Sequence, residues 1–282
     1  MGLTPTRDLL TAAFAAGTGI GGFNVLHLET AEAIVEGAES SGLPVILQIS
    51  QNCSAYHGAL APLALACRAV AAGAHVPVAL HLDHAEDERL VDEAIELGFG
   101  SVMYDGSTLP YAENVRSTAR VAGRARDAGV LVEAELGRIG GKDGAHAPGV
   151  RTDPGEARSF VEATGVDALA VAVGSSHAMT ERTASLDVGL VRELRAVLEV
   201  PLVLHGSSGV PDDTLVAAVR AGMTKINVST HLNGFFTRAV RGVLEEQPNL
   251  VDSRRYLGAG RRALAPEAAR LLRLLALSEG GS

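Results

Sequence analysis

The chain has 282 residues, 47% of them hydrophobic, enough to bury a large core in one domain or to split into two. Its 24 Lys and Arg stand against 33 Asp and Glu, and the resulting net charge of −9 argues against nucleic acid or an anionic membrane as the main partner. The two cysteines, Cys53 and Cys67, fit neither a CxxC motif nor a secreted disulfide framework, and no basic stretch leads into an apolar core at the amino terminus; a reduced, cytoplasmic setting without a signal peptide is expected.

Helix and strand patterns alternate from start to end. Thr4 to Ala16 reads as a helix with Leu9, Leu10, Ala13 and Phe14 on one face, followed by a short strand at Gly22 to Val25 and an alanine-rich helix from Glu29 to Ser40. Pro44 to Ser50 is the second strand and Ala59 to Ala72 its helix. The most hydrophobic tract, Ala59 to Leu80, is cut by Pro62, Arg68, His75 and Pro77, so it reads as helix then strand and not as a membrane span. The third strand, from Val78, ends in Asp83 and His84, and a charged helix runs from Glu86 to Leu97. Ser101 to Tyr104 leads into Asp105 and a helix from Tyr111 to Asp127; Val130 to Glu135 precedes a helix from Pro154 to Ala163. Ala168 to Val173, Leu202 to Leu204 and Lys225 to Ser229 complete the strands, with helices at Val188 to Leu198, Asp212 to Ala221 and Leu232 to Glu246. Arg261 to Leu277 is a last helix.

Eight strand–helix units in this length predict an α/β fold, a closed (β/α)8 TIM barrel. A doubly wound open sheet is the alternative, though long for one sheet. No composition shift marks a second domain, so residues 1–282 are read as one barrel with a C-terminal helical extension. The least regular piece, Gly137 to Pro154, is rich in glycine and follows the fifth strand. It reads as a mobile lid.

Residues at the strand ends make a polar ring: Asn24, Ser50, Asp83, His84, Asp105, Glu135, His177, His205, Asn227 and Ser229. One histidine there would be an ordinary hydrogen-bonded core or loop residue. Three ending apolar strands in the same manner, His84, His177 and His205, read as a metal site, since three imidazoles with an open fourth position make a catalytic centre. Glu133 shares the face of Glu135 by the two-residue period, and is read equally well as a salt-bridge partner inside the barrel. Gly174-Ser175-Ser176, Gly206-Ser207-Ser208-Gly209 and Asn227-Val228-Ser229-Thr230 lie on the last three loops. Backbone N–H groups and hydroxyls near helix starts there form an anion cradle, which points to a phosphorylated substrate beside the metal.

With these motifs in hand, the sequence resembles the class II, metal-dependent ketose-bisphosphate aldolases, the family of fructose- and tagatose-bisphosphate aldolases. The resemblance covers nearly the whole chain: Gly22-Phe23-Asn24-Val25, Pro44 to Ser50, His81-Leu82-Asp83-His84, Gly98 to Ser107, Glu133 to Gly137 with Gly140-Gly141, Leu204 to Gly209 and Lys225 to Val228. The HLDH and SVMxDGS strings are specific in combination. The resemblance implies a lyase of carbohydrate metabolism and glycolysis. It would cleave a ketose (bis)phosphate reversibly to dihydroxyacetone phosphate and an aldehyde through a zinc-stabilised enediolate. It further implies Zn2+ on His84, His177 and His205, a second or displaced metal position near Asp105 and Glu135, and a monovalent cation near the phosphate site. Asp83 would be the acid/base, with Asn24, Ser50, Gly174, Gly206, Ser207, Ser208, Asn227, Ser229 and Thr230 holding substrate. Arg254 would reach a substrate phosphate in a neighbouring subunit, within a homodimer or homotetramer.

Several positions depart from the family pattern. Ala178 stands for a glycine after the second zinc histidine; alanine keeps the N–H but takes a positive φ only with strain. Met179-Thr180-Glu181-Arg182 replaces a Tyr-Lys-like segment, where Arg182 would restore the lost positive charge and Glu181 would oppose a phosphate. Ser253 replaces a proline beside Arg254, and Ser229 replaces an aspartate used by fructose-bisphosphate enzymes. The acidic lid is shortened to Lys142-Asp143-Gly144, with Asp143 in place of the loop glutamate as second proton carrier.

Two other activities compete with this one. A Schiff-base aldolase needs a nucleophilic lysine on a barrel strand, and Lys225 is on one, though early in it; Lys142 is the only other lysine. A non-catalytic phosphosugar-binding protein would keep the barrel without a working lid acid. A divergent family member acting on another phosphorylated ketose stays open beside them.

Overall fold

The computed structural model describes residues 2–136 and 151–278. Its strands, among those residues, form one parallel sheet: β1 (Gly2–Leu3), β2 (Ile20–Asn24), β3 (Val45–Ser50), β4 (Pro77–Ala85), β5 (Ser101–Tyr104), β6 (Leu131–Leu136), β7 (Ala168–Val171), β8 (Leu202–Leu204) and β9 (Met223–Val228). β2 to β9 pair in chain order, and β9 returns to β2 with Asn227 opposite Gly22, closing a TIM barrel. β1 pairs with the first residues of β4, Gly2 opposite Pro77 and Leu3 opposite Val78.

Strand alternation sorts the side chains. Val45, Leu47 and Ile49 of β3 join the layer between sheet and helices, while Ile46 faces the barrel interior. The lower interior is apolar, with Ile20, Ile46, Ala79 and Leu131, and the first helix, α1 (Thr6–Ala16), packs Leu9, Leu10 and Ala13 into the same cluster. Above it the inward positions turn polar: Gln48, His81, Ser101, Glu133 and Lys225 are all buried. The carboxyl ends of the strands carry the next layer, which holds the candidate site.

Around the barrel run α2 (Leu28–Ser41), α3 (Gln51–His57), α4 (Ala61–Gly73), α5 (Glu88–Glu96), α6 (Tyr111–Asp127), α7 (Pro154–Thr164), α8 (Val188–Val197), α9 (Asp212–Ala221), α10 (Thr230–Glu246) and α11 (Ser253–Leu275). Four features differ from the sequence expectation. β1 was not foreseen, because two residues carry no periodicity. The helix α3 appears inside a stretch read as a connection; the Ser50 hydroxyl caps it by accepting from the Cys53 N–H. β7 ends two residues early, at Val171, and α11 begins at Ser253 instead of Arg261. Gly260 lets α11 approach α10 closely, since a Cβ there would lie 2.7 Å from the Phe236 ring.

A charge network ties α11 to the top loops. Asp212, at the start of α9, accepts from Arg270 at 2.6 Å and from Arg182 at 2.6 Å; Arg270 also donates to Glu267 at 2.7 Å. The His231 Nε2 lies 2.6 Å from Glu267, and the His231 backbone N–H donates to the Ser208 hydroxyl at 3.1 Å. Burial would raise the Glu267 carboxyl, but the hydrogen bonds from Arg270 and His231 outweigh it and hold it down to about 2. A depressed carboxyl contributes stability that is complete above its unfolded value and lost as pH falls through the folded one. Glu267→Gln is therefore expected to cost on the order of 2 kcal/mol at pH 7. That difference from wild type should shrink steadily in denaturant curves taken from pH 5 to pH 3. A pH-independent difference would assign the cost to packing.

Candidate active site

Asp83 and His84 are adjacent in sequence, and in a regular strand they would face opposite sides of the sheet. The pairing of β4 with β5 slips between Leu82 and Ala85, and His84 takes a φ of 51°. The slip changes the parity of the strand: Leu80 and Leu82 face the helices, and so does Ala85. Both Asp83 and His84 thereby point into the barrel mouth. Bulges of this kind re-aim side chains next to active sites.

His84 stands edge-to-face with His205 at 4.5 Å and with His177 at 5.2 Å between ring centroids. One ligand atom from each of these three lies within 4.8 Å of the others, and so does a second group made of His84, Asp105 and Glu135. The His84 Nδ1 lies 2.8 Å from Asp105 Oδ2, whose other oxygen accepts from the Ser107 hydroxyl at 2.6 Å. The His205 Nε2 lies 2.9 Å from Glu133 Oε1. His205 Nδ1 is buried and has no hydrogen-bond partner among the described residues, although it lies 3.6 Å from Glu135 Oε2. Desolvation, with His84 next in weight, pushes the His205 imidazole well below its ordinary value, so it is neutral. A buried neutral imidazole with a bare nitrogen, beside two more imidazoles and two carboxylates, fits a divalent ion that takes nitrogen and oxygen ligands.

Asp83 is held at both oxygens. Asn24 Nδ2 donates to Oδ2 at 2.9 Å and Asn227 Nδ2 to Oδ1 at 3.4 Å, while Gln48 Nε2 fixes the Asn24 carbonyl at 2.8 Å. Burial would raise the Asp83 carboxyl, but His84, Lys225 and the Asn24 amide outweigh it and leave it below the usual carboxylate range. Asp83 is thus ionised at neutral pH, and burial does not make it a stronger base.

Lys225 is fully buried and donates to Glu133 at 2.8 Å. An ammonium locked to a carboxylate is not the free amine a Schiff base requires, and the salt-bridge role weighed for Glu133 is the one it has.

The last loops meet as the sequence expects, with some changes of role. Gly206 has a φ of 66°, and a Cβ there would lie 2.6 Å from the Ser176 backbone, so the His205 and His177 loops touch through a glycine. Gly174 also has a positive φ. The Ser207 hydroxyl donates to the Leu204 carbonyl at 3.0 Å, and the Ser208 hydroxyl accepts from the N–H groups of Ser229 and His231. Ser208 thereby joins the loop after β8 to the start of α10. Thr230 opens α10 directly after Ser229. Ala178 does take the positive φ, 59°. Arg182 is a correction: its guanidinium is bound to Asp212 and to the Val210 carbonyl at 2.8 Å, so it supplies no uncommitted charge to a phosphate. Arg254 is 89% exposed on the first turn of α11 and pairs with Asp252, with no described contact to the barrel-end cluster. Asp143 and the shortened lid lie outside the described residues.

Sequence reasoning passed over Gln48 and treated His81 only as part of a motif. Both were within reach, since Gln48 is two residues before Ser50 and His81 two before Asp83 on the inward face.

A parallel barrel whose strand ends bring imidazoles and carboxylates within ligand distance of one another defines a TIM-barrel enzyme of the metal-assisted class. Comparison with known proteins narrows this: the model of the family "Fructose-bisphosphate aldolase class-II" matches residues 4–280. The chain belongs to that family. It is 38% identical over 268 residues to a fructose-bisphosphate aldolase of Geobacillus stearothermophilus, covering 94% of this chain and 93% of that protein. The crystal structure of the YdjI aldolase from Escherichia coli K12 superposes with a TM-score of 0.85 at 31% identity, covering 97% of each chain. The fructose-bisphosphate aldolase of Campylobacter jejuni, at 22% identity, shares the fold with a TM-score of 0.81 over 97% of this chain and 95% of that one. The present chain is accordingly an aldolase.

Proposed function

We propose that the chain cleaves and forms a phosphorylated ketose at the mouth of the barrel, with Zn2+ on His84, His177 and His205 and with Asp83 as the proton carrier. The observation that carries this reading is the convergence of the three imidazoles beside a buried carboxylate held by two amides. Asp105 and Glu135, with His84, offer a second position for the ion. When bound, zinc supplies Lewis acidity, polarising substrate oxygens and making a hydroxyl proton easier to remove.

Cleavage of a β-hydroxy ketone breaks the bond between the carbon next to the carbonyl and the hydroxyl-bearing carbon. The hydroxyl proton leaves, and an electron pair stays on the carbon beside the ketone. Asp83 takes that proton, with Asn24 and Asn227 fixing the direction of its oxygens. A carboxyl held below its ordinary range is a weak base, so Asp83 acts on a hydroxyl that is already acidified. A second group returns a proton to the carbon, and Asp143 is the residue we assign to it. The phosphate of the dihydroxyacetone half binds the backbone around Gly174, Gly206, Ser207 and Ser208 and the start of α10 at Ser229 and Thr230. Ser50 contacts the same half, and Arg254 serves a neighbouring subunit.

Purified protein is expected to hold one zinc per chain, and His84→Ala, His177→Ala and His205→Ala should each lower the content measured by elemental analysis. Full zinc in all three variants would refute the ligand set. Chelation should abolish cleavage, and borohydride with substrate should leave Lys225 unmodified.

Asp83→Ala is expected to keep its zinc and lose ~10²–10⁴-fold in kcat. A variant within a few-fold of wild type would move the hydroxyl proton to another group.

Substrate choice is expected to differ from that of a housekeeping fructose-bisphosphate aldolase at the aldehyde half. Ser229 takes the place of an aspartate there, and Arg182 is bound within the fold. Steady-state comparison of fructose 1,6-bisphosphate, tagatose 1,6-bisphosphate and ketose monophosphates tests this. If fructose 1,6-bisphosphate ranks first, with kcat/KM of ~10⁴ M⁻¹s⁻¹ or more, these substitutions are neutral.

A further inference from the structure

Beneath the candidate metal site runs a line of buried polar side chains that no step above uses. Lys225 Nζ lies 2.8 Å from Glu133 Oε2 and 3.2 Å from His81 Nε2. His81 Nδ1 lies 2.7 Å from the Ser101 hydroxyl, which contacts the Thr6 hydroxyl at 2.9 Å. On the other side, Glu133 Oε1 lies 2.9 Å from His205 Nε2. Every one of these residues is buried, and Lys225, Glu133 and His205 show no exposure at all. Water cannot relieve a mismatch of donors and acceptors here, so the directions of the bonds must agree along the whole line.

The ammonium decides them. It has three donors and no acceptor. His81 Nε2 must therefore accept, which puts the ring proton on Nδ1 as the donor to Ser101; the Ser101 O–H then donates to Thr6. In the other direction Lys225 donates to Glu133, whose carboxylate accepts at both oxygens. His205 Nε2 must then carry the proton, and Nδ1 is left with its lone pair. That is the atom that is buried, lacks a hydrogen-bond partner among the described residues and lies 3.6 Å from Glu135 Oε2.

We propose that Lys225, acting through Glu133, fixes the tautomer of His205 and so prepares His205 Nδ1 as a metal donor; Lys225 and Glu133 are positioning residues of the metal centre. The inference rests on the reading of His205 as a metal ligand. With Lys225 gone and a glutamine at 133, the side-chain amide can donate as well as accept, so His205 Nε2 is no longer obliged to be the donor. The same lysine orders His81 independently through its other donor, so the two arms separate experimentally.

Histidine-selective 15N NMR of the metal-free wild type should show His205 protonated on Nε2 and His81 protonated on Nδ1. His205 protonated on Nδ1 would overturn the proposal without any variant being made. The double variant Lys225→Met with Glu133→Gln removes both charges together, so no lone buried charge remains to unfold the barrel. It should lose the single His205 tautomer and bind zinc about 10–100-fold more weakly by calorimetric titration. Ser101→Ala disturbs only the His81 arm and should leave zinc affinity unchanged. A double variant with wild-type tautomers and affinity, or an equal loss in Ser101→Ala, refutes the relay. Wild-type protein that takes up no zinc refutes the metal reading itself, whatever the tautomer proves to be.

Discussion

Midway along the barrel axis, the Glu133 carboxylate and the Lys225 ammonium meet at 2.8 Å with neither exposed to solvent. Desolvating two charges costs several kcal/mol each, and an apolar pair of similar volume often stabilises a core as well or better. Stability alone does not account for the pair. Its neighbours give it a purpose: Glu133 reaches His205 and Lys225 reaches His81, both from below the catalytic layer. Breaking it by removing one partner would leave an uncompensated charge at a cost of about 3–5 kcal/mol. The interior is thus committed to a polar middle layer, and the apolar residues retreat to the lower end, where α1 closes the barrel with Leu9, Leu10 and Ala13.

A second constraint acts on the backbone. Two non-glycine residues beside the imidazole cluster, His84 and Ala178, hold positive φ angles of 51° and 59°. Such conformations cost of order 1–3 kcal/mol each and persist only where their surroundings over-determine them. At His84 the return is plain, since the bulge lets one strand deliver both the proton carrier and an imidazole to the same side. At Ala178 the positive φ directly follows His177, and the close contact of Gly206 with Ser176 fixes the loop from the other side. The cluster is therefore held by rigid strand ends and strained turns, not by side-chain reach alone.

Much of this was legible in the sequence because it follows from period. Apolar runs of strand length, spaced by helical patterns, gave the barrel, and the polar residues terminating those runs gave the ring of Asn24, Asp83, His84, Glu135, His205 and Asn227. What stayed hidden depends on contacts across the barrel. The two-residue period puts Gln48 and His81 on the inward face, but their partners Asn24 and Lys225 lie on other strands, which no local pattern shows. Arg182 could be seen only as a nearby positive charge; its commitment to Asp212, 30 positions on in the chain, is a property of the fold. α3 and β1 were missed because seven and two residues are too few to show a period. The first turns of α11 were missed because they are placed by packing across helices, where Gly260 makes room for Phe236.

The fate of Arg182 bears on how an anion would be recognised at this end of the barrel. Its charge is matched by Asp212, which Arg270 also holds, and Arg270 is in turn matched by Glu267. These four charges therefore neutralise one another within the protein. The Ser208 hydroxyl joins the loop after β8 to the start of α10, and His231 carries that connection to α11. Backbone N–H groups in the turn after Gly206 and at the start of α10 are among the donors an anion would meet there. Such donors recognise a phosphate by position more than by charge, so their worth depends on how firmly the loops are held. The ion-pair chain behind them does that holding, and in this way α11 supports the loops at this end of the barrel.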